Sequence, residues 1–417
     1  MAQITKKTDK HFPEDILFEV VSRLPPKSVG RFTTVSKSWY AFIRSPTFVA
    51  THLNRSIARN IVDDIDSSTY LLYVTPTRRE HNTCTLLCDK SFDEVYDLEL
   101  PMDFESKTCR PVGSCNGLVC LTDRDYAFCG RVIYVWNPLL RKFKCIIGTS
   151  CCCNRLYNKF TEVHIGFWYD GANSDYKLIR IMYFGKEDFS GYDREQSHVE
   201  VYSLNKGSWR KIDDAKLPGI CSTEQAIFVD GTLNWMAVYS AENDITYDFI
   251  MSFDTQTELF RKIVLPDFQE YQYLQTRELP FLVVYKGWLA FFVAPDCGDE
   301  GSDVWSIWVM KKFGVVESWV KEYNEETQHK ALWPIGFTKN NEILIDTSDE
   351  EIFAFNFETK QSRILKHYYG YRDCWVNYTK SLVFLEEKNE LLENGSSLEG
   401  HRNKNLCASI KDENTNS

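Results

Sequence analysis

The stretch Pro13-Glu14-Asp15-Ile16-Leu17-Phe18-Glu19-Val20-Val21-Ser22-Arg23-Leu24-Pro25-Pro26-Lys27-Ser28-Val29-Gly30-Arg31-Phe32-Thr33-Thr34-Val35-Ser36-Lys37-Ser38-Trp39 decides how the chain begins. Ile16, Leu17, Val20, Val21 and Leu24 recur at helical spacing and make one wide apolar stripe. Pro13 stands where a first helical residue belongs, and Glu14 and Asp15 complement the positive end of a helix dipole. Pro25-Pro26 forbids continuation. A second short helix fits residues 27 to 34, and a third fits 37 to 44 with Ser36 as N-cap and Ser45-Pro46 as the stop. Val29, Phe32, Val35, Trp39, Phe42 and Ile43 are the apolar residues of this second part. Three such short helices cannot bury all of these side chains among themselves, so the rest of the chain or a partner must cover some of them.

Downstream of residue 65 the pattern changes to short strand-like runs separated by turn signals. Alternating apolar residues end in an aromatic, a polar turn follows, and an apolar or aromatic residue with Lys or Arg comes next. This recurs in 132–146, 199–212, 250–265, 304–323 and 352–365, with Trp136, Tyr202, Phe253, Trp308 and Phe355 as the anchoring aromatics. A second kind of hairpin lies between them, with Asn116-Gly117, Asp170-Gly171, Asp230-Gly231, Lys286-Gly287 and Asn340-Asn341 at its turns. Two hairpins make a four-stranded blade. Five pairs run from Cys115 to Leu365, and a sixth closes the ring if Trp375 to Leu385 joins the early strands 70–74 and 83–88. Residues 66–385 then form a six-bladed β-propeller of about 53 residues per blade. An irregular β-sandwich is the alternative, since the spacing varies and no double-glycine signature is present.

The 417 residues suffice for two or more domains, and 14% aromatic content suits pleated, half-buried surfaces. The net charge of −11 argues against a nucleic-acid partner. It is unevenly placed: residues 1–56 carry nine Lys or Arg against four Asp or Glu, a net of +5, leaving −16 on the rest. No secretory signal opens the chain, and the apolar run 281–294 is too short and contains Lys286, so no membrane span is expected and the location is cytoplasmic, nuclear or both. Of 14 cysteines, ten fall between Cys84 and Cys153, among them the triplet Cys151-Cys152-Cys153. Their spacing matches no paired zinc knuckle, so they read as reduced apolar side chains, with no metal and no cofactor expected. Residues 1–10 are expected to be a flexible N-terminus and the polar tail 386–417 to be disordered.

The first stretch, with Leu24-Pro25-Pro26-Lys27-Ser28, Arg31-Phe32 and Val35-Ser36-Lys37-Ser38-Trp39, resembles a plant F-box over residues 11–56, followed by a linker at 57–65. Residues 66–385 resemble the F-box-associated, kelch-like domain. The landmarks are Ser114-Cys115-Asn116-Gly117-Leu118-Val119-Cys120, Trp136-Asn137-Pro138, Gly166-Phe167, Asp175-Tyr176-Lys177, Val199 to Ser203 with Ser208-Trp209-Arg210, Gly231 to Trp235, and Ile250 to Asp254. The fold class is thus α+β multidomain: a three-helix F-box, then an all-β domain. The resemblance implies a substrate-recognition subunit of an SCF ubiquitin ligase, bound through a Skp-type adaptor to cullin and RING subunits. By position, the adaptor-facing residues would be Pro13, Ile16, Leu17, Pro25, Val29, Phe32, Val35 and Trp39. Gly30 departs from the family, which usually has Leu there, and removes an apolar side chain from that face. The 48–53 segment further resembles S-locus F-box proteins, whose targets are basic S-ribonucleases of the pistil.

No nucleophile elbow, Walker loop, dinucleotide fingerprint or zinc-protease motif is present. The chain is therefore expected to be a non-catalytic receptor, with a protein scaffold outside any ligase as the other reading. Substrate contacts are expected on the connections 147–160, 185–198, 239–248, 267–279 and 295–303, since loops on a rigid scaffold carry recognition. The last of these is acidic, with Asp296, Asp299, Glu300 and Asp303, and would suit a basic target.

Overall fold

A helix that starts just after a proline and a ring that closes with its own last strand are the two ends of this architecture. The computed structural model describes residues 13–62, 69–74, 83–88, 94–124, 130–149, 160–188, 191–212, 217–220, 225–240, 246–266, 281–293, 304–326, 332–338, 341–347, 351–367 and 375–385. Four helices come first: α1 (Glu14–Val21), α2 (Pro26–Phe32), α3 (Lys37–Arg44) and α4 (Pro46–Val62). Pro13 lies one residue outside α1, and its carbonyl accepts from the amides of Ile16 and Leu17, both at 3.1 Å. Ser36 caps α3 as expected, its hydroxyl accepting from the Trp39 amide at 3.2 Å.

The fourth helix corrects the three-helix expectation, and it runs through 57–62, where a linker was expected. Ser45-Pro46 ends one helix but also begins another. Ser45 Oγ accepts from the Phe48 amide at 3.3 Å, and Pro46 supplies a first helical residue that needs no donor. The new helix buries Phe48, His52, Leu53 and Ser56. It is fastened to α1 where Arg55 pairs with Glu19 and donates to Ser22, and where His52 Nε2 meets the Leu24 carbonyl at 2.9 Å. Part of the apolar surplus of three short helices is thereby covered.

The remaining described chain forms six antiparallel sheets arranged as blades. From inner to outer strand, blade I is Trp375–Thr379, Thr69–Val74, Thr83–Cys88 and Glu94–Glu99. Blade II is Cys109–Cys115, Leu118–Asp123, Val132–Asn137 and Lys142–Ile147; blade III is Phe160–Asp170, Asp175–Asp188, Gly191–Ser203 and Ser208–Ile212. In blade IV, Gly219–Ile220 and Ile227–Val229 both pair with Thr232–Ser240, followed by Thr246–Asp254 and Phe260–Val264. Blade V is Phe281–Tyr285, Trp288–Val293, Val304–Met310 and Trp319–Glu326; blade VI is Leu332–Phe337, Glu342–Thr347, Glu351–Asn356 and Gln361–His367. The expected closure is present. The last strand pairs antiparallel with the first, Tyr73 opposite Trp375 and Tyr70 opposite Tyr378, so the two ends of the propeller share one blade.

Apolar side chains fill the gaps between blades: Trp136 with Tyr134 and Leu72 between I and II, Trp168 with Trp235 and Phe253 between III and IV, and Trp305 with Phe292 and Phe357 between V and VI. The gap between II and III also holds a buried ion pair, Arg180 with Glu200. Arg180 also donates to the Gly130 carbonyl at 2.6 Å and to Thr149 Oγ1 at 2.9 Å, and lies 4.9 Å from the Trp209 ring centre.

The outer hairpins of blades II, IV and VI share one device. A side-chain acceptor at the last strand residue closes the turn, and the fifth residue takes positive φ. Asn137 Oδ1 accepts from Leu139 and Leu140 with Arg141 at φ 53°, and Asp254 Oδ1 accepts from Gln256 and Thr257 with Glu258 at 56°. Asn356 does the same for Glu358 and Thr359 with Lys360 at 58°. This register corrects one anchor. The blade V strand runs on to Met310, so buried Val309, not Trp308, is the next-to-last strand residue that the anchors occupy in the other blades. The Asp170-Gly171 turn is also longer than two residues. The strands stop at Asp170 and resume at Asp175, and Ser174 carries the positive φ.

Candidate functional site

Antiparallel order sorts the connections to the two ends of the ring. In blades II to VI the first-to-second and third-to-fourth strand turns lie at one end. The second-to-third connections and every crossing to the next blade leave from the other. The helices enter blade I at Thr69 and the segment 380–384 leaves it after Thr379, both at the turn end. The five connections expected to contact substrate, 147–160, 185–198, 239–248, 267–279 and 295–303, all join strands at the opposite end. Of these, 185–198 is strand and not loop, apart from a bulge between Arg194 and Gln196. Its residues extend the two longest strands of the fold, paired out to Asp188 opposite Gly191. Asp296, Asp299, Glu300 and Asp303 lie outside the described residues, as do the Cys151–Cys153 triplet, residues 1–10 and 386–417.

At the turn end the helices divide their apolar residues between two sides. Inward, Val21, Val29, Ile43 and Phe48 form a buried cluster with Leu382 from the segment after the last strand, flanked by Leu139, Leu140 and Phe384. Phe18, Phe42 and Phe48 pack edge-on or tilted at 4.9–5.9 Å between centroids, which suits aromatic quadrupoles. Outward, α1 shows the other half of its stripe: Ile16 is 50% and Val20 55% exposed, one turn apart. Val35, after α2, is 63% exposed and Tyr40 on α3 is 47%, with the Arg44 guanidinium 5.1 Å from its ring.

The sequence-selected residues therefore split. Pro13, Ile16, Pro25 and Val35 are exposed, whereas Leu17, Phe32 and Trp39 are half-buried, the last two with rings 5.3 Å apart. Val29 is fully buried in the inward cluster, so the structure places it in the core and not on the exposed face. Val20 and Tyr40 were missing from the set. Val20 was legible as the residue four on from Ile16, but a stripe five residues wide does not say which half faces inward. Gly30 also faces inward: a β-carbon there would lie 3.9 Å from Leu382 Cδ2.

Charge on this side is local. Hydrogen bonds from Arg55, then Arg23, hold the exposed Glu19 carboxyl below its ordinary value. Among the described residues no group of three or more His, Cys, Asp or Glu is placed to hold a metal. Burial pushes the Cys115 thiol up to about 12 and those of Cys84 and Cys120 upward as well, so at neutral pH they stay protonated. No helix among the described residues is long and apolar enough to cross a membrane.

Two landmarks of the sequence hold the segment that meets the helices. Asn137 Nδ2 donates to the carbonyls of Val383 at 2.8 Å and Ser381 at 3.2 Å, while its Oδ1 closes its own turn. Ser381 Oγ donates to the Asn116 carbonyl at 2.6 Å. Gly117, at φ +80°, is required here because a β-carbon would collide with Ser381 and with the Thr379 carbonyl.

Comparison with known proteins agrees with both halves. Residues 10–51 match the F-box domain, and residues 74–385 match the F-box associated beta propeller domain. Among relatives from Arabidopsis thaliana, the F-box protein At3g10430 is 30% identical over 60% of this chain and 60% of its own length. The F-box protein At3g07870 is 27% identical over 75% and 72%, and the F-box protein CPR1 is 24% identical over 89% and 87%. Among solved structures, the Kuenenia stuttgartiensis hydrazine synthase is similar at a TM-score of 0.42 and 10% identity, over 77% of this chain and 47% of that one. With a family model spanning 74–385 and a second over 10–51, the chain belongs to the F-box proteins that carry an F-box associated β-propeller domain.

Proposed function

We propose that the protein is a non-catalytic substrate receptor of an SCF-type ubiquitin ligase. The observation that carries this reading is the outward face of the helices. Ile16, Val20 and Val35 are large apolar side chains left half or more exposed while their neighbours pack inward. Such a face beside the half-buried Leu17, Phe32 and Trp39 suits capture by a Skp-type adaptor, with cullin and RING subunits joined through it. The connections of the propeller's far end then hold a target protein. The receptor's contribution is proximity: it raises the effective concentration of a target lysine near a conjugating enzyme.

A −16 charge outside residues 1–56 favours a basic target, and a secreted ribonuclease of the S-locus system is one such candidate. The test is capture of the full-length protein by a plant Skp-type adaptor, beside an Ile16→Asp/Val35→Asp variant. Both residues are exposed, so the variant keeps its circular dichroism and melting curve and loses capture. Failure of the unaltered protein to bind any such adaptor would leave a propeller scaffold outside the ligase as the better account.

A further inference from the structure

We infer that the segment Ser381–Phe384 is a strap that fixes the helical module on the propeller, with Leu382 as its positioning residue. This rests on the receptor reading only for its purpose, since the strap itself is read from geometry. Leu382 is 1% exposed and sits in a buried cluster that joins the helices to the ring, together with Val21, Val29, Ile43 and Phe48. It lies over Gly30 in α2, where a glycine inside a helix is otherwise unfavourable. A methyl at position 30 would make ordinary contact, but a longer side chain would need the volume that Leu382 fills.

The strap cannot easily move on its other side. Asn137 holds its carbonyls at 381 and 383, Ser381 is bonded to the Asn116 carbonyl, and Gly117 leaves room for it. Arg44 of α3 stands 4.4 Å from the Phe384 ring centre, a second contact across the same junction. The chain thus leaves the helices at blade I, runs round six blades, and returns to grip the helices beside its point of departure. For a receptor, that grip sets the direction in which the far end presents a bound target relative to the adaptor.

The experiment is single-molecule energy transfer between dyes on non-canonical residues at exposed Asn54 of α4 and Gln256 of blade IV, in the full chain with adaptor bound and again without it. The chain as it stands should give one narrow distance distribution. Leu382→Ala and, separately, Gly30→Leu should each broaden it, and Leu382→Ala/Gly30→Leu, which moves the side chain from strap to helix, should narrow it again. Adaptor capture should be the same for all four proteins, because the outward face is untouched. A narrow distribution in folded Leu382→Ala overturns the inference. Should that variant not fold, Gly30→Leu alone decides, since it leaves strap and propeller intact: an unchanged distribution there overturns it equally. Loss of adaptor capture by the unaltered chain would remove the receptor reading and leave the energy-transfer result standing.

Discussion

The helices and the propeller solve the same problem, too much apolar surface, in opposite ways. The propeller closes on itself: every blade is covered by the next, and the ring is completed by pairing Trp375–Thr379 with Thr69–Val74. The helical module stays open. It buries one side against α4 and Leu382 and leaves Ile16, Val20, Val35 and Tyr40 in water. Exposed apolar residues also occur on the propeller, among them Phe228, Leu259 and Val264 in blade IV and Val284, Trp288 and Val320 in blade V, but they are spread round a ring of over 200 described residues. Apolar residues scattered over a large surface are ordinary, whereas five on one small module, Ile57 of α4 included, are a concentration that suits a partner.

The strongest way to break this comparison is to open the ring. Ending the chain after Cys374 removes the inner strand of blade I, and the expected result is loss of a cooperative thermal transition for the whole β-domain. Removing residues 1–62 instead should leave that transition cooperative, because no blade contains a helix residue. Equal damage from the two truncations would refute the asymmetry. Next in size is the buried ion pair of blade III that faces blade II. Arg180→Met leaves the Glu200 carboxylate buried without its cation and should cost about 3–5 kcal/mol, read as a lower urea midpoint. Adding Glu200→Leu should recover much of it, since the pair is needed for compensation more than for net stability.

Two valines sharpen the contrast within the helices. Val29→Ala, in the inward cluster, should lower stability by about 2 kcal/mol through lost burial and the cavity left behind, and leave adaptor capture in place. Val35→Ala should change stability by less than about 0.5 kcal/mol yet weaken capture. The sequence made these two look alike, because both lie in the same matched motif. Hydrophobic period locates a stripe but not its partner, and Val29 meets a residue 353 positions away, Leu382. The blades were legible for the converse reason. Each hairpin is local, so alternation and Asn-Gly or Asp-Gly turns reveal it, and the repeat supplies the ring. What local pattern could not show was where a strand stops, hence the Trp308 anchor two residues short of the strand end at Met310, or the double meaning of Ser45-Pro46 as the end of α3 and the start of α4.

The smallest expected effect compares the same turn in two chemistries. Asn137 and Asn356 close their turns with a neutral oxygen, while blade IV uses Asp254, which accepts from the amides of Thr257 at 2.9 Å and Gln256 at 3.0 Å and from Arg261 at 3.1 Å. The Thr257 amide bond, foremost, holds the Asp254 carboxyl below its ordinary value; burial opposes it, and the Gln256 bond and the Arg261 charge add to it. A carboxyl lowered by folding stabilises the native state above its unfolded value, near 3.9, and that contribution is lost as pH falls through the folded value. Asp254→Asn keeps the acceptor and removes the titration. At pH 7 it should lower stability by no more than about 1 kcal/mol, and the gap between the two proteins should close as pH falls below about 4. Asn356→Asp should do the reverse and put a titrating acceptor in the outer turn of blade VI. Urea midpoints across that range check both, and a gap that stays constant with pH would mean that the acceptor's geometry, and not its charge, is what blade IV uses.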